Sequence, residues 1–258
     1  MLLTIDVGNT NTVLGVHDGE RLTHSFRLTT RREQTEDEYG ILLRNLFTSS
    51  GLDPSTITGV ALASVVPPLT PVLVRLARQH LGREPFVVEP GVRTGMPILY
   101  EPAGDVGADR IVNAVAALHT WGAPLIVVDF GTATTLDVVN RRGEYVGGVI
   151  CPGIGISSDA LFQRAARLPR VDVRNPGRVI GHSTVGSIQS GLYFGYAEMV
   201  EGLIRRIRCE LEDSPRVVAT GGLAETLSRD IPSIAAVDPV LTLTGLRLLW
   251  ELNASGIR

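Results

Sequence analysis

The 258-residue chain contains no lysine, and all 24 of its basic residues are arginine. That absence excludes three chemistries that need an ammonium at the reacting centre: a phosphate loop of the Walker type, a protein-kinase strand lysine and any Schiff-base mechanism. Cysteine is scarce too. Cys151 and Cys209 lie far apart and match no metal-ligand spacing, which points to a reduced, cytoplasmic setting. The five histidines show no metal spacing either. A formal charge of −3 leaves no basic stripe, so neither nucleic acid nor an anionic membrane is expected as a partner. Uncharged stretches are broken: Ile111–Val128 carries Asn113, His119 and the Trp121-Gly122-Ala123-Pro124 break, which a membrane span would not tolerate. The opening MLLTIDVGN lacks a basic n-region and reaches Asp6 too early to hold a secretory apolar core. A soluble protein is expected, with 44% hydrophobic content to fill one large core or two small ones.

What is present has a repeating order. Leu2–Val7 and Thr12–His17 are apolar, β-branched runs, Asp18-Gly19 is a hairpin turn, and Arg21–Leu28 reads as a third strand. Glu36–Ser50 has helical spacing with Gly51 as its stop, Gly59–Ser64 reads as a buried strand, and Leu69–Leu81 returns to the helical period. Gly91–Gly107 has no clear period and is expected to be an extended loop before a helix over Ala108–Trp121. From Leu125 the order begins again. Leu125–Phe130, Thr134–Asn140 and Tyr145–Val149 are expected strands, with Arg142-Gly143 as the turn. Helices over Asp159–Ala166 and Ser187–Leu211, a strand over Arg216–Thr220, a helix start at Ala224–Leu227 and a closing helix over Leu241–Leu252 complete the pattern.

The offset between the two halves is 123 residues, at which Leu3, Ile5, Asp6, Gly8 and Thr12 match Ile126, Val128, Asp129, Gly131 and Thr135. Two β-β-β-α units joined head to tail account for this, with a boundary between residues 121 and 122. In each unit the first strand delivers an Asp near its end. A Gly two residues later lets the backbone turn, so that following N–H groups and hydroxyls point into one space. Two such loops facing across a cleft would grip a polyphosphate from both sides. An Asp at each hinge suits a hydrated cation, because carboxylate and phosphate repel unless a metal lies between them. A lysine-free chain could bind ATP in this way.

DVGNTNT and DFGTATTLD resemble the two phosphate motifs of the actin, heat-shock chaperone and sugar-kinase superfamily, and VVATGGLAE at Val217–Glu225 resembles its adenosine motif. Within that superfamily the chain resembles the type III pantothenate kinase family, through TGMPILY at Thr94–Tyr100, VGADRIVNAVAA at Val106–Ala117, GGVICPGIGIS at Gly147–Ser157 and STVGSIQSGLYFGY at Ser183–Tyr196. The motifs run in order along essentially the whole chain. Pro102-Ala103 departs from the Asn-Pro common in the family and puts only a local turn in question. The resemblance implies a duplicated actin-like ATPase (ribonuclease H-like) α/β fold. Its two β-β-β-α-β-α units would be an N-terminal one over 1–121 and a C-terminal one over 122–258, facing across a nucleotide cleft. It also implies phosphorylation of pantothenate by ATP, the first step toward coenzyme A.

The resemblance assigns roles residue by residue. Asp6 would hold Mg²⁺ through water while Val7, Gly8, Asn9, Thr10, Asn11, Thr12 and Val13 form the first ATP-binding loop. Asp129 would bind a monovalent cation, K⁺ or NH₄⁺, and Thr132 a phosphate. Gly221 and Gly222 would approach adenine or ribose, although a plain strand-to-helix turn explains that pair nearly as well. Asp109 is the expected general base, and an Asp favoured by a helix N-terminus is the alternative. Arg110 would orient the pantothenate carboxylate or the phosphate, against a surface ion pair. Tyr100, Gly107, Ala108 and Thr184 would complete the substrate site. The apolar stretch Ser187–Leu211 has more than one hydrophobic face, which fits either burial between the two units of one monomer or a homodimer contact.

Overall fold

The computed structural model describes residues 1–254. Ten strands and seven α-helices follow the expected order. They are β1 (Leu2–Val7), β2 (Asn11–Asp18), β3 (Arg21–Thr29), α1 (Glu36–Ser49), β4 (Gly59–Ser64), α2 (Thr70–Leu81), β5 (Phe86–Val87), α3 (Ala108–Trp121), β6 (Leu125–Phe130), β7 (Ala133–Val139), β8 (Tyr145–Pro152), α4 (Ile154–Arg164), α5 (Thr184–Leu211), β9 (Arg216–Thr220), α6 (Ala224–Leu227), β10 (Ile234–Val237) and α7 (Leu241–Ala254). They form two five-stranded sheets, ordered β3-β2-β1-β4-β5 and β10-β9-β6-β7-β8. In each sheet the first strand of the repeat is central, antiparallel to the next strand and parallel to the fourth. A strand flanked on both sides and covered on both faces must be apolar almost throughout, which is why LLTIDV and LIVVDF are near-continuous hydrophobic runs. Their burial is the same position by position, with only the Asp half-buried.

The pairing register refines the duplication. Val7 pairs with Thr12, whereas Phe130 pairs with Thr134, so the second loop is one residue shorter than the first. The counterpart of Thr12 is therefore Thr134 and not Thr135, and both are fully buried. The 123-residue offset holds for the first strands and drops by one across the loops.

Each unit has its own core. Leu3, Ile5, Val16, Leu43, Phe47, Leu62 and Leu73 pack in the first, and Ile126, Val128, Leu136, Tyr193, Val200, Ile204 and Leu227 in the second. Contacts divide the chain into Met1–Met96, Tyr100–Ala116 and the closing helix on one side, and Pro97–Leu99 with Ala117–Val240 on the other. The expected division at 121/122 thus needs correcting at α7, which packs on β1, β2 and β4 of the first sheet. Its fit there depends on absent side chains: a Cβ at Gly59 would meet the Trp250 ring, and one at Gly245 would meet the Val112 carbonyl. The expected C-terminal unit also includes residues 255–258, which lie outside the described residues.

Other departures have local causes. The two-residue β5 and four-residue β10 are too short to show a period. Helix α4 begins at Ile154, five residues earlier than expected, straight after Gly153 in extended backbone. Helix α5 begins at Thr184 because the Ser183 hydroxyl accepts the Gly186 N–H at 3.1 Å, an N-cap that lies outside the hydrophobic period. Among the described residues no helix is long and apolar enough to cross a membrane.

Candidate active site

The first loop leaves β1 at Val7 and returns as β2 at Asn11. Gly8 N–H donates to Asn11 O at 2.9 Å, and a Cβ on Gly8 would stand 3.1 Å from that oxygen, so the turn is closed tightly. Thr30, at the end of the neighbouring hairpin arm, clamps the loop. Its hydroxyl donates to Gly8 O at 2.7 Å, its N–H donates to Thr10 O at 3.0 Å, and its hydroxyl also lies 3.0 Å from that of Thr12. Thr12 is fully buried, so its side chain braces the loop instead of lining it, as the motif alone had led one to expect. Val7 is buried, Asp6, Gly8, Asn11 and Val13 are half-buried, and Asn9 and Thr10 are exposed at the tip. Arg32 donates to Asn9 Oδ1 at 3.2 Å. Neither Thr30 nor Arg32 was singled out by the motif, because both lie beyond it in sequence and meet it only through the β2–β3 hairpin.

The second loop is built the same way and boxed more closely. Gly131 N–H donates to Ala133 O at 3.1 Å. Asp129 is half-buried at the end of β6, opposite Thr220 of β9. The chain leaves β9 through Gly221 at φ +93°, and a Cβ there would collide with Asp129 Oδ1 and the backbone of Phe130. Gly153 plays a similar part against the Thr132 carbonyl, where a Cβ would overlap the backbone. Gly221 was expected from the motif, and its reason is steric. Gly153 was legible only as part of GGVICPGIGIS, with no role attached. Gly222 has open space around it, so it carries no comparable constraint. Gly221→Ala combines a left-handed backbone with a collision. It is expected to destabilise the second unit by about 1–3 kcal/mol and to weaken nucleotide binding, read by thermal unfolding with and without ATP.

The remaining candidates of the first unit gather at the start of α3. Asp109 Oδ1 accepts the Arg110 N–H at 2.8 Å, and Arg110 N–H also points to Gly107 O at 3.1 Å. A Cβ on Gly107 would stand 2.7 Å from Asp109 Oδ1, so the glycine leaves the carboxylate room. Burial raises the Asp109 pKa above the ordinary carboxylate range, opposed by the Arg110 backbone hydrogen bond and the Arg110 charge. Arg110 is only 7% exposed, which removes the surface ion pair as its explanation. Gly107 and Ala108 are half-buried, as is Tyr100 at the end of the loop that precedes them. Thr184 belongs to the second unit, exposed as the first residue of α5.

Two sheets of this order, each with an Asp near the end of its central strand and a glycine-closed loop behind it, make up the duplicated actin-like ATPase fold. The fold is shared with the inorganic polyphosphate/ATP-glucomannokinase of Arthrobacter sp. strain KM (TM-score 0.52, 14% identity, 97% of this chain and 98% of that one). It is also shared with a protein of Campylobacter jejuni described as a Baf family transcriptional activator (TM-score 0.62, 18% identity, 98% and 99%). The type III pantothenate kinase profile matches residues 2–206, and the type III pantothenate kinase of Anaeromyxobacter sp. (strain K) is 56% identical over 253 residues, 98% of this chain and 100% of that protein. The chain belongs to the type III pantothenate kinase family, whose members phosphorylate pantothenate in coenzyme A biosynthesis.

Proposed function

We propose that this chain transfers the γ-phosphoryl group of ATP to the primary hydroxyl of pantothenate, with Asp109 as general base. The observation that carries the proposal is the Asp109 carboxylate itself: half-buried, held by the Arg110 N–H, given room by Gly107, and raised in pKa by burial. A base with a raised pKa takes a proton more readily. It would accept the hydroxyl proton as the oxygen bonds to the γ-phosphorus and the bond to the β,γ-bridging oxygen breaks. ADP and 4′-phosphopantothenate leave. Arg110 would orient the pantothenate carboxylate or the transferring phosphate with a forked contact, and Tyr100 and Thr184 would hydrogen-bond the amide and hydroxyl groups.

The loops fit a nucleotide and cations. Gly131 and Gly221 keep clear the space that a Cβ would occupy beside the half-buried Asp129, and Gly8 keeps clear the space against Asn11 O in the first loop. Among the described residues no group of three or more His, Cys, Asp and Glu side chains could cage a metal. A Mg²⁺ bound through Asp6 would therefore take most of its ligands from phosphate and water, and it would supply charge neutralisation to the phosphates. In the first unit, Gly8–Asn11 would contact the β and γ phosphates. In the second, Thr132 would contact phosphate, Gly221 and Gly222 the adenosine, and Asp129 a monovalent cation. Steady-state ADP release with and without pantothenate, in K⁺ against Na⁺ buffer, tests the assignment. Turnover is expected only with pantothenate, with at least about tenfold stimulation by K⁺ that Asp129→Ala abolishes. Equal rates in both buffers would remove the cation role from Asp129.

We also infer a homodimer. Seven of the ten exposed large apolar side chains among the described residues fall between residues 150 and 185, including Ile156, Leu161, Phe162, Val179, Ile180 and Val185. Such a concentration in one stretch of the chain supports an association surface there. Thr184 belongs to the same stretch, so a partner copy would help complete the substrate site. Light scattering of wild type against Ile180→Asp is expected to show a dimer that the charge dissociates.

A further inference from the structure

The loop between β5 and α3 makes one contact that neither its sequence nor the family motifs account for. At Pro97–Leu99 it adds itself to the edge of the second sheet, where Ile98 forms a parallel bridge with Tyr145, the first residue of β8. Tyr145 N–H donates to Pro97 O at 2.8 Å, and Leu99 N–H donates to Tyr145 O at 2.8 Å. The strap thus bridges to the outer strand at Tyr145, and that residue is itself held firmly. The Tyr145 hydroxyl donates to Asp137 Oδ1 at 2.7 Å, and Thr135 donates to Asp137 Oδ2 at 3.0 Å. Tyr145 and Asp137 are both completely buried. A buried carboxylate is costly unless hydrogen-bonded, so this arrangement tolerates little movement. From the other side the β7–β8 turn is cinched by Asn140: its N–H donates to Glu144 O, its Oδ1 accepts the Arg142 and Glu144 N–H groups, and its Nδ2 donates to Glu144 Oε2. The next residue after the strap is Tyr100, and the chain continues to Gly107–Arg110.

We infer that Tyr145, locked by Asp137, is a positioning residue for pantothenate: it anchors the strap Pro97–Leu99 and so fixes the start of the segment that carries the substrate contacts. This rests on the reading of Tyr100–Arg110 as the substrate segment. Without the anchor the loop would sample other conformations, and each binding event would have to restore the docked one. The substrate whose contacts follow the strap loses affinity, and the nucleotide does not.

The test uses the full-length enzyme with two variants that break the anchor differently. Leu99→Pro removes the N–H that reaches Tyr145 O while altering a side chain that is already half-exposed. Tyr145→Phe removes the hydroxyl from Asp137. Each is expected to raise KM for pantothenate by about tenfold, with kcat and KM for ATP within about twofold of wild type. Tyr100→Phe is measured alongside. If Tyr100→Phe raises KM for pantothenate and the anchor variants do not, the inference is overturned and the Tyr100 contact stands. If the anchor variants raise it and Tyr100→Phe does not, the anchor stands and the contact belongs to another residue of the segment. Parallel losses in both KM values and in kcat would mark a merely structural role and also overturn the inference. Should Tyr145→Phe not fold, Leu99→Pro alone decides.

Discussion

Asp109→Asn lowers kcat by about 10²- to 10⁴-fold while KM for pantothenate changes by no more than about threefold. The amide keeps the shape of the side chain and an acceptor oxygen for the Arg110 N–H, so the helix start survives. What it loses is the ability to take the hydroxyl proton. Phosphoryl transfer has a loose transition state, in which proton removal is one contribution beside positioning and charge neutralisation, and this sets the lower end of the range. The pH profile provides a second reading. Burial raises the Asp109 pKa, so the acidic limb of kcat/KM lies at higher pH than an exposed Asp would give, and the limb disappears in the variant. An unchanged kcat in Asp109→Asn would remove it from proton transfer and leave it as a helix-start residue.

The second large effect concerns stability and comes from His17 in β2. His17 is 1% exposed and packs beside Thr4 of β1 and Arg247 of α7. The Thr4 hydroxyl donates to Gly15 O at 3.2 Å, so the Thr4 oxygen accepts from His17 Nε2 at 3.3 Å. His17 Nδ1 is then a buried lone pair without a partner. Burial first, and the Arg247 charge second, lower its pKa from 6.5 to about 4. Glu251, which binds Arg247 Nη1 at 2.8 Å, offsets part of that charge at the protein surface. The sign follows from proton counting. Between pH 6.5 and 4 the unfolded chain takes up a proton that the native state refuses, so stability falls as pH falls. The shift corresponds to a loss of about 3 kcal/mol across that window, fully present as stability above pH 6.5. Carboxylates also begin to titrate near its lower end, so the comparison is with His17→Gln, whose side-chain N–H can still reach Thr4. Denaturant unfolding at pH 7 and pH 4.5 is expected to show a wild-type loss larger than that of the variant by about 2–3 kcal/mol. Equal losses would mean that His17 takes up its proton as readily in the native state as in the unfolded chain.

Much of this architecture is legible in the sequence because the central strands are buried on both faces and therefore write themselves as apolar runs. The two Asp-x-Gly turns stand out for the same reason, since a half-buried Asp inside such a run breaks it. The loops' one-residue difference in length was not legible. Thr134 and Thr135 are adjacent and identical, and only pairing distinguishes the buried one. Helix α7 was misplaced because sequence order says nothing about which sheet a closing helix packs on. That choice is made by Gly59 and Gly245, whose missing side chains admit Trp250 and the Val112 backbone. The site residues named by the motifs lie where chain order put them. Their supports, Thr30 beneath the first loop and Gly153 against the second, come from distant segments with no signature of their own.

The most direct test follows the phosphoryl group itself. Purified wild-type protein would be incubated with ATP labelled at the γ-phosphoryl, Mg²⁺, K⁺ and pantothenate, and the products separated and identified by mass. The expected result is label on 4′-phosphopantothenate in one-to-one ratio with ADP, and a rate at least about 10²-fold lower in Asp109→Asn. ADP formed with the label on inorganic phosphate, or label transferred equally well by the variant, would contradict it.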